Sequence, residues 1–114
     1  MTNRDFSFID VKDLPPIPYG IIDVEKCLDP TEYGARTIQY ISSYGCPAAC
    51  AFCVDPVINR RRWVGLPAKR VVDEWEYLHR KYRVDSIAIY DSNFFVDKKR
   101  VVDICEELLR RNLD

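Results

Sequence analysis

A chain of 114 residues is long enough for one small domain around a single core and too short for two. With 31% charged and 47% hydrophobic residues and a formal net charge of −1, it reads as soluble and globular. It is too apolar for a disordered tail, has no apolar run that could cross a bilayer, and lacks the global positive charge of a nucleic-acid binder. The opening MTNRDFSFIDVKD has no basic start followed by an apolar stretch, so no secretory signal is expected and a reducing cytoplasm is the expected compartment.

Residues 1–35 read as a lead-in. In DLPPIPYG, Pro15, Pro16 and Pro18 fix their own φ and push the preceding residues towards extended backbone, which predicts a connector, not a packed element. The β-branched and aromatic stretch TIQYISS predicts a strand over Thr37–Ser43, closing at Gly45 with a cysteine loop immediately after. Arg60–Leu66 reads as loop, and Pro67 suits the first position of a helix, where an amide proton has no intrahelical use. Val71, Trp75, Leu78 and Tyr82 form that helix's inward stripe, leaving Lys69, Arg70, Glu74 and Lys81 wet. DSIAIY, Asp85–Tyr90, predicts a buried parallel strand. After Asp97 as a cap, Val101, Val102, Cys105, Leu108 and Leu109 repeat a helical spacing to the end.

The order is therefore β-α-β-α. Two strands joined by a helical crossover run parallel with a right-handed connection, so their C-terminal ends emerge on one rim, where ligands of α/β sheets bind. Cys46 follows the first strand and Asp91-Ser92-Asn93 the second, which places both at a common space. A sheet of only two strands would leave unpaired edges and an uncovered apolar face.

Five cysteines is an odd number, and SYGCPAACAFC holds three of them, a pattern that in a cytosolic chain points to metal or redox chemistry. Three thiolates from one loop can fill three corners of a four-iron cluster and leave one iron open to a small molecule, as a catalytic zinc keeps a vacant position. Structural zinc would need Cys27, His79 or Cys105 as a fourth ligand, and none of these has a neighbouring ligand. Cys105 in the last helix's stripe reads as an inert buried thiol, Cys27 as incidental, and His79 as a solvated surface histidine. The run Arg60-Arg61-Arg62 could grip a phosphate, although such runs are usually just solvated. Asp-Ser-Asn is ordinary turn chemistry, but its place on the cysteine rim favours a site role.

Cys46-x3-Cys50-x2-Cys53, with Phe52 before the third cysteine and a strand before the first, resembles the cluster loop of the radical S-adenosylmethionine enzymes. The resemblance implies a [4Fe–4S] cluster on Cys46, Cys50 and Cys53. The open iron would be chelated by S-adenosylmethionine, which is reductively cleaved to a 5′-deoxyadenosyl radical. It further implies Phe52 beside the adenine, and Asp91, Ser92 and Asn93 at the strand end that helps hold the methionine amino group. YDSNFF resembles the aspartate-rich DDxF form of the cobalamin-associated subgroup, with Ser92 in place of its second aspartate. DLPPIPYGIIDVEKC is similar to the linker that follows a cobalamin-binding domain there.

On this resemblance the fold is the first two strand-helix units of a partial barrel, with 1–35 as linker and 36–114 as the N-terminal part of a core domain. The chain is then expected to be a fragment of a longer enzyme, not competent alone, with cobalamin possible only in a longer parent. A small-molecule substrate and a reductant such as flavodoxin or ferredoxin are the implied partners, with no membrane and no nucleic acid. An RNA methylthiotransferase of the same family has a similar loop and a nearby basic segment, and the proline-rich lead-in favours the first reading. Outside the enzyme class stands a noncatalytic zinc or iron–sulfur module, or an inactive remnant.

Overall fold

The computed structural model describes residues 10–113; the first nine residues of the expected linker and Asp114 of the expected core lie outside them. Short 3-10 turns at Val11–Asp13, Tyr19–Ile21 and Val24–Cys27 lead into β1 (Leu28–Asp29) and β2 (Thr37–Tyr40). After β3 (Ser43–Tyr44) and the cysteine loop come a single turn of helix, α1 (Asp55–Ile58), and β4 (Val64–Gly65). The crossover helix α2 (Ala68–Tyr82), strand β5 (Ser86–Ile89) and α3 (Lys98–Arg110) complete the chain. The architecture is mixed α/β, consistent with the two expected strand-helix units.

β2 and β5 pair in parallel from Thr37 opposite Ser86 to Tyr40 opposite Ile89, as a helical crossover requires. The sheet has a third strand that sequence reasoning missed. β1 pairs antiparallel with β2, Leu28 opposite Ile38, so the order is β1-β2-β5 and the outer edge of β2 is covered. The strand expected over Thr37–Ser43 divides: Tyr40 ends β2, and Ser43–Tyr44 leaves the sheet to pair with Val64–Gly65 inside the expected loop. β5 is half-buried, not fully buried, because it lies at the sheet's other edge.

Alternation along β2 sends Ile38 and Tyr40 to the helix side, where each seeds a cluster. Tyr40 packs with Val11, Leu66, Val71, Val72, Trp75 and Ile104, and Ile38 with Tyr19, Val24, Leu78 and Val84. The lead-in is thus no free connector, since Val11, Tyr19 and Val24 are buried in these clusters. Arg70 fastens it further by donating to the Leu14 carbonyl at 2.6 Å and the Pro15 carbonyl at 3.0 Å. Prolines that forbid helix leave carbonyls unpaired, and a guanidinium takes up two of them.

Helix α2 shows the expected stripe, with Val71, Trp75 and Leu78 buried and Tyr82 half-buried. Glu74, expected to be wet, is 8% exposed. It is held by the Tyr40 hydroxyl at 2.9 Å and by Arg70 Nε at 3.1 Å, partners from a strand and from the preceding turn that make its burial tolerable. Burial, and next the charge of Glu74, push the Tyr40 phenol well above its ordinary value of 10.0. The helix ends at Arg83, which adopts the left-handed conformation with φ of 55° and returns its amide to the His79 carbonyl.

In α3 the expected cap is present, Asp97 Oδ1 accepting from the Arg100 amide at 3.0 Å. Its stripe is not the expected one. Arg100 and Ile104 are buried and Leu108 is half-buried, while Cys105 is exposed and Val102 and Leu109 are 53% and 77% exposed. Ile104 and Leu108 pack into the core, whereas Val102, Cys105 and Leu109 lie on an exposed flank. No helix among them is long and apolar enough to cross a membrane.

Two outcomes follow from this packing. Val24→Ala is expected to cost about 2 kcal/mol in urea unfolding, whereas Ile21→Ala, at a site 82% exposed in the same lead-in, should stay within about 0.5 kcal/mol. A folded-state pKa raised for Tyr40 means stability is fully present below the unfolded value near 10 and is lost as pH rises above it. Stability measured from neutral to strongly alkaline pH should therefore fall more gently in Tyr40→Phe than in the parent.

Candidate functional site

At the C-terminal ends of β2 and β5 the two chains remain side by side, the Tyr90 amide donating to the Tyr40 carbonyl at 2.8 Å. One residue further, Asp91 reaches back across the rim. Its Oδ1 accepts from the Ser42 amide at 2.6 Å, and its Oδ2 accepts from the Ser42 hydroxyl at 2.7 Å and the Ser43 hydroxyl at 2.6 Å. Ser42 and Ser43 are 0% and 1% exposed, so these donors have no water to turn to. The carboxylate expected beside a cofactor is thus engaged with the strand that leads to the cysteines.

Arg100, only 6% exposed, grips the same place from the helix side. Its Nη2 donates to the Ser42 carbonyl at 2.8 Å and its Nε to the Leu66 carbonyl at 2.7 Å. The guanidinium lies 5.7 Å from the Trp63 ring and 5.6 Å from the Phe94 ring. Burial lowers its hold on the proton, and the Asp91 carboxylate opposes that shift. Its Nη1 is buried without a hydrogen-bond partner among the described residues.

Gly45 opens the cysteine loop with φ of 81°, and a Cβ there would collide with the Arg62 carbonyl, so only glycine fits. The loop is pinned at several points. Asp55, buried at the start of α1, accepts from the Cys46 amide at 3.0 Å. The Cys53 amide donates to the Cys50 carbonyl at 3.1 Å, and Arg61 Nε donates to the Pro47 carbonyl at 3.2 Å. Arg61 and its neighbour Arg60 both have positive φ, so the basic run is shaped as a turn against the loop.

The expected convergence of the two strand ends is seen at Asn93, whose amide nitrogen approaches Cys46 Sγ at 3.7 Å. Its backbone carbonyl accepts from the Trp63 indole at 3.0 Å. Ser92 is exposed at the same turn, and Phe52 is 93% exposed on the cysteine loop, away from Asp91 hydrogen-bonding contacts. Cys46 is half-buried; Cys50 and Cys53 are exposed, and all three are free thiols. Cys27 and Cys105 are likewise exposed and free, which corrects the expectation of a buried Cys105; His79 is exposed, as expected, with Nδ1 2.9 Å from the Val84 carbonyl.

Among the described residues no three His, Cys, Asp or Glu side chains meet at a point that could hold one metal ion. A single zinc needs all its ligands on one atom, about 2.3 Å from each sulfur. Thiolates that cap separate irons of a polynuclear cluster need not meet at a point. Three free thiols on one loop, two of them exposed, fit the second chemistry as a donor set.

Sequence reasoning missed Asp55, Arg100 and Trp63 at this site. Asp55 had a local signal, an acidic residue before Pro56 and just after the third cysteine, where a helix start favours a carboxylate. Arg100 had none, because a basic residue in a helix's first turn reads as solvated.

The chain is 30% identical over 108 residues to an uncharacterized methyltransferase of Pyrococcus horikoshii, covering 92% of this chain and 22% of that protein. It is 35% identical over 105 residues to the anaerobic magnesium-protoporphyrin IX monomethyl ester cyclase of Rubrivivax gelatinosus, covering 90% of this chain and 19% of that protein. The cyclase of the same name from Cereibacter sphaeroides is 31% identical over 105 residues, covering 91% and 16%. The chain spans about a fifth of the length of the curated relatives it matches, which are named as enzymes. No family model and no solved structure matches it.

The thiol environments predict an order of reactivity. In the metal-free chain, iodoacetamide followed by peptide mass mapping should label Cys50 and Cys53 before Cys46, and Asn93→Ala should speed labelling at Cys46 alone.

Proposed function

We propose that this chain is the cluster-bearing β-α-β-α part of a radical S-adenosylmethionine enzyme of the cobalamin-associated subgroup. One observation carries the reading: Cys46, Cys50 and Cys53 lie on a single loop leaving one parallel strand, and Asn93, leaving the next, touches the first of their sulfurs. Similarity to segments of a named methyltransferase and two named cyclases, over nine-tenths of this chain, supports an enzyme of this kind.

In this reading Cys46, Cys50 and Cys53 would hold a [4Fe–4S] cluster through their three thiolates, and the loop carries no fourth thiol. When bound, such a cluster would supply the electron for reductive cleavage of a carbon–sulfur bond of S-adenosylmethionine. Everything else is the work of side chains. Asn93 Nδ2 donates towards Cys46 Sγ at 3.7 Å and so covers one side of the sulfur. Asp55 fixes the Cys46 backbone through its amide. Exposed Phe52, Val54, Val57 and Ile58 around the cysteines give an apolar surface that would help to keep water from a bound cofactor, Phe52 being proposed to lie beside the adenine and Ser92 and Asn93 towards the methionine end.

The electron must come from outside, and a cytoplasmic reductant such as flavodoxin or ferredoxin is the proposed donor. The substrate is proposed to be a small molecule, held by a longer parent protein.

Anaerobic reconstitution with iron and sulfide tests the reading. About four irons per chain are expected, with a reduced-state spin resonance signal that changes when S-adenosylmethionine is added. Alanine at Cys46, Cys50 or Cys53 should abolish the signal, and alanine at Cys27 or Cys105 should leave it intact. Stoichiometric zinc and no iron would overturn the proposal.

A further inference from the structure

We propose that Asp91 and Arg100 form a two-sided clasp on the Ser42 peptide that sets the position of the Cys46–Cys53 loop, so that Asp91 is a positioning residue and not a ligand of the cofactor. Its consequence for a cluster rests on the reading above; the clasp itself consists of this chain alone.

The argument is one of capacity and burial. A carboxylate offers two oxygens, and those of Asp91 already accept three hydrogen bonds, at 2.6, 2.7 and 2.6 Å. Of the roughly four lone-pair sites of the carboxylate one, on Oδ1, is left, so an incoming ammonium group could take more than a single bond only by stranding a buried amide or hydroxyl of Ser42 or Ser43. On the opposite side, the Ser42 carbonyl accepts from Arg100 Nη2 at 2.8 Å and from the Leu66 amide at 2.9 Å. Ser42 thus has its amide, carbonyl and hydroxyl all committed to residues that come later in the chain. The two clasp residues carry opposite charges, and both belong to the second strand-helix unit.

From Ser42 to Cys46 the path is short and stiff. Ser43 and Tyr44 are paired with Gly65 and Val64, and Gly45 sits where no side chain would fit. A shift of the Ser42 peptide therefore carries to Cys46, and with it to the Asn93 contact on the cysteine sulfur.

Asp91→Ala in the full chain tests the clasp with two separate readouts. In the metal-free protein, amide hydrogen exchange over 42–50 should quicken by at least about tenfold while α2 keeps its protection. After reconstitution, iron content should fall, yet the cluster that does form should bind S-adenosylmethionine within about twofold of the parent affinity. Unchanged loop exchange and iron content with affinity lost by about tenfold or more would show instead that Asp91 touches the cofactor. Should circular dichroism show Asp91→Ala unfolded, Ser43→Ala removes one bond of the same clasp and should quicken the same amides to a smaller degree; no change there overturns the proposal. If the parent chain assembles no cluster, the cofactor reading fails by itself, and loop exchange in the metal-free variants still decides for or against the clasp.

Discussion

The structure turns on one carboxylate. Asp91 follows the end of β5, reaches over the rim and binds Ser42 and Ser43 just beyond β2, so that two strands whose ladder has just ended remain locked together where the sheet would otherwise fray. A counterpart closes the other end of the same strand pair. Asp85, just before β5, accepts from the Ala35 amide at 3.2 Å and the Arg36 amide at 2.9 Å, just before β2. A four-residue parallel pair flanked by two charge-assisted clasps has a defined register despite its shortness. The cysteine loop inherits that definition, since it starts four residues beyond Ser42.

Burial of charge recurs as the means of joining distant segments. Glu74 links α2 to β2 through Tyr40, and Arg70 links the same carboxylate to the proline-rich lead-in. Arg100 links α3 to the β3–β4 ribbon through the carbonyls of Ser42 and Leu66, which flank its two strands. Such groups are costly to bury without partners, and their partners come from several elements, so each one fixes several elements at once. The apolar flank of α3 and the free side of β5 show the opposite condition: surface of the kind that α/β folds normally cover with further strand-helix units.

Those two conditions explain what was legible beforehand. Period and cap chemistry are local, so α2, the Asp97 cap and the parallel pairing of β2 with β5 could be read from residue spacing. The three-cysteine loop was legible because thiol spacing is itself the signal. Glu74 was not, because a carboxylate on a helix looks wet until Tyr40 and Arg70 are brought to it by the fold. The α3 stripe went astray for a related reason: five apolar residues at helical spacing do not say which of them meet a neighbour. Asp91 was legible as a rim residue, but its choice of Ser42 and Ser43 depends on strand register, and Arg100 gave no local sign at all. β1 and the β3–β4 ribbon, two residues long each, fall below any periodic signal.

The claim on which this account rests is that Asp91 and the serines at the end of β2 form one energetic unit. A double-mutant cycle between Asp91→Asn and Ser43→Ala, read by denaturant unfolding, measures that unit directly. The account predicts a coupling of about 1–2 kcal/mol; single costs that add to within about 0.5 kcal/mol would contradict it and leave the two strand ends as neighbours without a bond that matters.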